Sequence, residues 1–410
     1  MTDRPPMTDW ATDFDHTTSE WAQRAPEIWD DLRAGCPVAH TERFGGCWFP
    51  SRHEDVDAIA HDTEHFSSRS IIVNELGAFG VAPVGFAPPI TSDPPFHKIA
   101  RGLLLPAFSP KAIAELEAAT RQTCRDLLDD ALSTAAANDG LVDIAVEYTQ
   151  HIPVRVIAHM LGLPVSDGDK FRGFIHRILE KPGQAASVSP DDTLVAYLQH
   201  VIAERRETPG DDLISYLVDA EVGGVPLTDD HIEGTVALLL IAGIDTTWSA
   251  IGASLWHLAQ NPHDLDRLRD DPAAMQFAVE EFLRFYAPVT MARVVAEEVT
   301  VGDAEMKADD WVLLPFPSAN RDPEFFDRAD EFVIDRQRNR HAAFGLGIHR
   351  CLGSNLARME LRVALEEWVA AVSRFELADD DPDAVRWSTG QVRGPRELPV
   401  RLLETTGGTT

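Results

Sequence analysis

Along most of the chain, apolar residues recur every three or four positions, the spacing of helices that bury one face. This pattern covers 21–34 and starts again after Ser109-Pro110, where serine suits a helix cap and proline a first turn. It returns over 143–162, 168–181, 191–207 and 211–221, closed by signals such as Gly162-Leu-Pro164. The longest run opens at Thr228-Asp229-Asp230, with acids at the positive helix end, and continues to Gln260 before Asn261-Pro262. At 1.5 Å per residue it predicts a helix of about 49 Å, which must cross the middle of the molecule. Two more helices are expected over 273–286 and 354–373. Alternation and β-branched residues over 290–315 predict short strands, and 47–50 and 71–73 are apolar enough to be strands. Residues 74–95 are too rich in Gly, Pro and Phe for a helix, and 316–353 read as irregular. The expected class is mainly α with a minor β region. No repeat or linker divides the chain, so a single domain is expected over 1–410, with tails of about 1–20 and 406–410.

Composition narrows the classes. With 410 residues, 44% of them apolar and 25% charged, the chain can bury a large core and is neither disordered nor a disulfide framework. A net charge of −31 disfavours nucleic acid or an anionic membrane as a partner. The four cysteines, Cys36, Cys47, Cys124 and Cys351, form no Cys-x-x-Cys pair and read as reduced thiols. The N-terminus is polar and acidic, unlike a secretory signal. The longest apolar run, 236–242, falls far short of the roughly 18 residues of a membrane span. A soluble, cytoplasmic protein is expected.

Cys351 stands out chemically. It sits in Phe344-Gly-Leu-Gly-Ile-His-Arg-Cys351-Leu-Gly353, an irregular glycine-rich stretch just before a helix. The positive helix end and turning N–H groups favour a thiolate there. Such a thiolate is either a nucleophile, with His349 as the near base, or a ligand to a metal that accepts one protein sulfur, as haem iron does.

This phrase closely resembles the haem-binding loop of cytochrome P450, Phe-x-x-Gly-x-His/Arg-x-Cys-x-Gly. A chance match in a chain this long has odds of about 10⁻⁴ on average residue usage. Glu281-Phe-Leu-Arg284 matches the family's Glu-x-x-Arg, whose two side chains share a helix face. Arg336 in Phe332-Val-Ile-Asp-Arg336 looks like the pair's third, structural partner. Ala242-Gly243-Ile-Asp245-Thr246-Thr247 lies mid-way along the long helix and resembles the oxygen-activation motif. By itself it shows a glycine that lets something flat approach, a threonine able to bond back to Ala242, and an acid that must be used or paired on an apolar helix. The resemblance implies that Thr246 hydrogen-bonds dioxygen and Asp245 feeds protons. Asp93-Pro-Pro-Phe-His97-x-x-x-Arg101 resembles the helix that holds a haem propionate, and Arg293 and His349 are further propionate candidates. His-x-x-x-Arg alone carries nothing, since His65/Arg69, His151/Arg155 and His263/Arg267 repeat it.

The resemblance extends from about residue 20 to 405. It implies the cytochrome P450 fold, with haem b (iron protoporphyrin IX) between the long helix and the Cys351 loop. Cofactor contacts are expected from His97, Arg101, Gly243, Arg293, Phe344, Gly345, His349, Cys351 and Gly353, with Cys351 on the iron. The implied activity is a monooxygenase that inserts one atom of O2 into a C–H bond by hydroxylation or oxidative O-dealkylation. Only 59 residues follow Cys351, so no fused reductase is expected. Electrons are expected from a separate ferredoxin with its NAD(P)H-dependent ferredoxin reductase. Seven Arg against four acids over 328–362 offer that ferredoxin a docking face. The substrate is expected to be small, neutral and mostly apolar, because Glu75 is the only charge between Ile71 and Thr91. Its pocket is assigned to Phe79, Phe86, Leu238, Ala242, Val289 and Met291. Two rival readings are a peroxide-driven peroxygenase and a haem-binding protein without turnover.

Overall fold

A computed structural model describes residues 7, 9–73, 86–180, 193–379, 381 and 384–406. The helices are α1 (Ser19–Gly35), α2 (His53–His61), α3 (Phe96–Leu104), α4 (Pro110–Ala137), α5 (His151–Leu161), α6 (Gly168–Ile175), α7 (Leu194–Glu207), α8 (Leu213–Asp219), α9 (Asp229–Gln260), α10 (Pro262–Asp270), α11 (Met275–Phe285), α12 (Phe316–Ala319) and α13 (Ser354–Ala371). The strands are β1 (Val38–Thr41), β2 (Cys47–Pro50), β3 (Phe66–Ser67), β4 (Leu141–Asp143), β5 (Glu221–Val222), β6 (Val225–Pro226), β7 (Thr290–Val295), β8 (Val299–Val301), β9 (Ala304–Met306), β10 (Trp311–Pro315), β11 (Val372–Leu377) and β12 (Pro399–Thr405).

Helix starts follow the cap chemistry. The hydroxyls of Ser109 and Thr228 accept from Ala112 N and His231 N, satisfying amides that have no partner within their helices. By length and composition α9 is apolar enough to cross a membrane, yet 78% of its most apolar stretch is buried inside the protein. Side chains all round it are buried, from Ile232 and Val236 to Leu255 and Leu258, as expected of a helix enclosed by others. It packs on α5 and α13, and α13 packs along α4. One apolar core joins these helices. Two smaller cores flank the main sheet, whose order is β1-β2-β10-β7-β3.

Three expectations need correcting. Residues 71–73 form no strand, although the carbonyl of Ile71 accepts from Ala292 N beside β7. The stretch 143–162 is not one helix: β4 ends at Asp143, and a wide turn over Ala145–Thr149 precedes α5. After α13 the chain returns as β11 and β12, which pair with β4 in a second sheet.

Candidate active site

The irregular chain that leads to Cys351 is held by one buried ion pair. Glu281 and Arg284, one turn apart on α11, are fully buried and joined by two hydrogen bonds of 2.8 Å. Arg284 also donates to the carbonyls of Asn320, Ala329 and Glu331. Glu281 accepts from Arg336 Nε at 3.0 Å, from Val333 N and from Asn339 Nδ2. A buried pair with every lone pair used escapes most of its desolvation cost. Here it ties together a long segment that has almost no regular structure. Asn320 extends the bracing, accepting through Oδ1 from Ala342 N.

The loop itself needs glycine for backbone geometry. Gly345 and Gly347 have φ of +71° and +67°. A Cβ on Gly347 would also lie 2.2 Å from the carbonyl oxygen of Ala60 on α2. Cys351 N donates to Phe344 O at 2.6 Å and closes the turn. Gly353 N–H donates to the Cys351 sulfur, and α13 begins at the next residue. Behind the loop, the Arg358 guanidinium lies 4.4 Å from the Phe344 ring centre and bonds Glu280, which also meets His341.

Cys351 is exposed only inward, to a large cavity. Burial pushes its thiol up; the Gly353 N–H and the charges of Arg101, Arg350 and Arg358 pull the other way and do not cancel the rise. A metal bound there would complete the change to thiolate, because a coordinating thiol gives up its proton.

The cavity runs from Cys351 and the start of α13 across to the middle of α9, and opens to solvent at its mouth. Its floor is Cys351, Phe344, Gly345 and Gly353, with Leu356 and Ala357 of α13. Its roof is α9, through Leu238, Leu239, Ala242, Gly243 and Thr246, flanked by Ile90, Val289 and Met291.

Cationic side chains gather at one edge. Arg101, Arg293 and His349 line the cavity, and the His97 ring sits 4.3 Å from that of His349. Burial lowers Arg293 to about 10. Its one hydrogen bond among the described residues goes to the adjacent Ala292 carbonyl. His349 is pushed down to about 2 by burial, then by Arg293, His97 and Arg101. His97 is lowered for the same first reason, and its buried Nε2 has no hydrogen-bond partner among the described residues. No carboxylate forms an ion pair with any of the four among the described residues. Arg101 and Arg293 are desolvated cations without a paired counter-charge, which is costly; the two propionates of a haem would supply it, with His97 and His349 as hydrogen-bond donors to them. A thiol on the floor of an apolar cavity, and a cationic edge without a paired counter-charge among the described residues, together fit haem b.

Comparison with known proteins agrees. The family model for cytochrome P450 matches residues 169–396. Erythromycin C-12 hydroxylase of Saccharopolyspora erythraea is 36% identical over 371 residues, covering 87% of this chain and 89% of the relative. Nocardicin C N-oxygenase of Nocardia uniformis subsp. tsuyamanensis is 35% identical over 379 residues, covering 90% and 93%. The chain belongs to the cytochrome P450 family. Among solved structures, CYP109E1 from Bacillus megaterium in complex with testosterone matches with a TM-score of 0.80 at 30% identity, covering 94% of this chain and 99% of that one. This cytochrome P450 is thus a haem-thiolate monooxygenase, using O2, a small organic substrate and a redox partner.

The remaining site residues fall into three groups. Thr246 lines the cavity and donates from Oγ1 to the Ala242 carbonyl at 2.8 Å. Gly243 also lines it, but its missing Cβ would point at Ile157 on α5, 3.2 Å away, so helix packing accounts for that glycine. Asp245 does not line the cavity. It is buried in an ion pair with Arg396 at 2.8 Å, and Arg396 also bonds Ser249 Oγ. Nothing in the local sequence pointed to Arg396, which arrives from 151 residues away. Phe86 is likewise absent from the cavity lining: it is 48% exposed, stacks on Phe96 and meets His231 edge-on. Phe79 lies outside the described residues. Sequence reasoning missed Ser68, whose hydroxyl meets His349 Nε2 at 2.9 Å.

Proposed function

We propose that this monooxygenase oxidises a neutral, mostly apolar molecule with electrons from a ferredoxin. The observation that carries the substrate reading is the segregation of charge in the cavity. Among the described residues, all the charged groups stand at the cationic edge, where the propionates would account for them. The roof and sides next to α9 offer Ile90, Leu238, Ala242, Val289 and Met291, with only threonine hydroxyls for polar contact. A carboxylate ligand would find no cation left to receive it.

Bound haem supplies the oxidising power, with the Cys351 thiolate favouring O–O cleavage. Arg101, Arg293, His97 and His349 fix the orientation of the group through its propionates. Thr246 manages protons on the opposite face. Its single hydrogen goes to Ala242, so its lone pairs face the cavity and accept from a donor there. Asp245 is held by Arg396, and proton supply from it to Thr246 requires that pair to loosen.

Support for a ferredoxin is narrower than the sequence suggested. Of the seven arginines over 328–362, Arg328, Arg336, Arg358 and Arg362 are engaged with Glu331, Glu281, Glu280 and Glu117 respectively. Arg338, Arg340 and Arg350 have no ion pair among the described residues. Of these, Arg350 adjoins Cys351 and lies two residues from the exposed Ile348, while Arg340 packs over the Phe325 ring. The same reading places the enzyme in the cytoplasm as one continuous domain.

Two measurements test this. Ferric Soret shifts are expected with neutral terpenes and aromatics and not with their carboxylated analogues; binding of the acids alone would overturn the substrate reading. Turnover is expected with NAD(P)H, ferredoxin reductase and ferredoxin. Equal turnover on peroxide without them would favour a peroxygenase. In Thr246→Ala, more of the NAD(P)H should end as released peroxide; unchanged coupling would remove Thr246 from its role.

A further inference from the structure

We propose that Gly234 and Thr235, which do not line the cavity, act as positioning residues that set the size of substrate it admits. The inference rests on the monooxygenase site described above and concerns its outer wall, formed by Pro89 and Ile90.

That wall hangs on α9 by its backbone. Thr235 is 1% exposed, and its Oγ1 donates to the Pro88 carbonyl at 3.1 Å. Helical Ser and Thr hydroxyls often bond back to the carbonyl four residues earlier, as Thr246 and Ser254 do here. Thr235 instead spends its one donor on the loop. Beside it, Gly234 leaves the space that the loop occupies. A Cβ at Gly234 would stand 1.8 Å from the Phe86 carbonyl oxygen and 2.9 Å from its carbon. Real Cβ atoms essentially never come within 3.0 Å of such atoms, so any side chain there drives loop and helix apart by about 1.2 Å.

The displacement would reach the cavity because the loop is internally closed. Thr91 Oγ1 accepts from Ala87 N at 2.8 Å, Ile90 N donates to Ala87 O, and Ser92 N donates to Pro89 O. Residues 87–92 therefore move together. Beyond them the Asp93 carboxylate is anchored on Ser67 Oγ and Ser68 N. The pivot lies at the Asp93 end, and the free travel is at Pro89 and Ile90. Leu238 follows Gly234 by four residues on the same helix face, about 6 Å along the axis, and it lines the cavity. The gap between Leu238 and Ile90 is thus set by contacts one helical turn outside it.

Three variants of the holoenzyme test this: Gly234→Ala, Thr235→Val and Thr235→Ser. The probes are imidazole, 4-phenylimidazole and clotrimazole, whose nitrogen anchors at the iron so that the rest of the molecule presses on the walls. The reduced, CO-bound Soret band comes first. If the parent lacks the long-wavelength thiolate position, the haem reading itself has failed. With that band intact, Gly234→Ala should raise clotrimazole affinity relative to imidazole by about tenfold or more, the scale of a reshaped apolar pocket. Thr235→Val should move the same ratio by about threefold, the scale of one hydrogen bond. Thr235→Ser should restore the parent ratio. Unchanged ratios in Gly234→Ala and Thr235→Val, with the thiolate band in place, would overturn the proposal. If Gly234→Ala takes up no haem, the contrast between Thr235→Val and Thr235→Ser decides alone.

Discussion

On the Cys351 side of the cavity, charged groups and backbone hydrogen bonds hold the chain; on the α9 side, apolar side chains do most of the holding. The floor is irregular chain, so its polar groups needed partners that no helix supplies, and the Glu281–Arg284–Arg336 cluster provides them. The roof is the middle of a helix whose backbone is already satisfied, so its residues are free to be chosen for shape. This difference separates two jobs. Geometry at the iron ligand tolerates little change, because moving one partner strands a buried charge. The substrate wall can be resized by changes as small as a methyl group.

The contrast is broken most completely at the ligand. Cys351→Ser should reduce turnover to background and remove the thiolate–CO band, and a variant keeping both would end the assignment of Cys351. Next, Arg284→Ala leaves Glu281 charged and buried. It should cost about 3–5 kcal/mol in urea unfolding, and a loss under 1 kcal/mol would mean the floor is not held as described. On the distal side, Asp245→Asn and Arg396→Met should each destabilise, while the double variant recovers part of the loss. A double-mutant cycle should give a coupling of about 1–3 kcal/mol. No coupling would show the pair contributes nothing there.

The smallest effect is a pH signature on α13. Glu360 is 1% exposed, its Oε2 has no hydrogen-bond partner among the described residues, and burial pushes its carboxyl up to about 8. Between about pH 4.5, where the unfolded chain releases this proton, and pH 8, the native state binds more protons. Stability from this group is therefore full below pH 4.5 and declines as pH rises towards 8. Glu360→Gln should match the parent at acid pH and gain on it by about 1–3 kcal/mol at pH 8. A constant offset across that range would argue against the shift.

Legibility in the sequence followed the same division. The floor was readable because its chemistry is local. Cys351, its glycines and His349 are neighbours in the chain, and Glu281 and Arg284 share one helical turn. Arg336 was found because a short phrase carries it. The long helix was readable because thirty residues of apolar pattern and a threonine cap agree. What escaped came from distant chain. Arg396 meets Asp245 across 151 positions, and Ser68 meets His349 across 281. No periodicity encodes such meetings. Phe86 misled because an aromatic near a pocket looks the same whether it faces in or out. Here its backbone is pressed against Gly234, and its ring goes outward to Phe96 and His231. Strands β11 and β12 were missed although Val400 and Leu402 alternate as a half-buried strand should. Their signal was short and came after the motifs had ended.

The desolvated guanidinium groups of Arg101 and Arg293 carry a consequence for the life of the protein in a cell. Newly made chain must bring these groups together before any counter-charge arrives, so the empty form is the less stable one. Whatever binds only the folded state stabilises it in proportion to the logarithm of its free concentration. Iron and porphyrin supply would then govern how much of this enzyme survives proteolysis, and starvation for either would lower its abundance without any change in transcription.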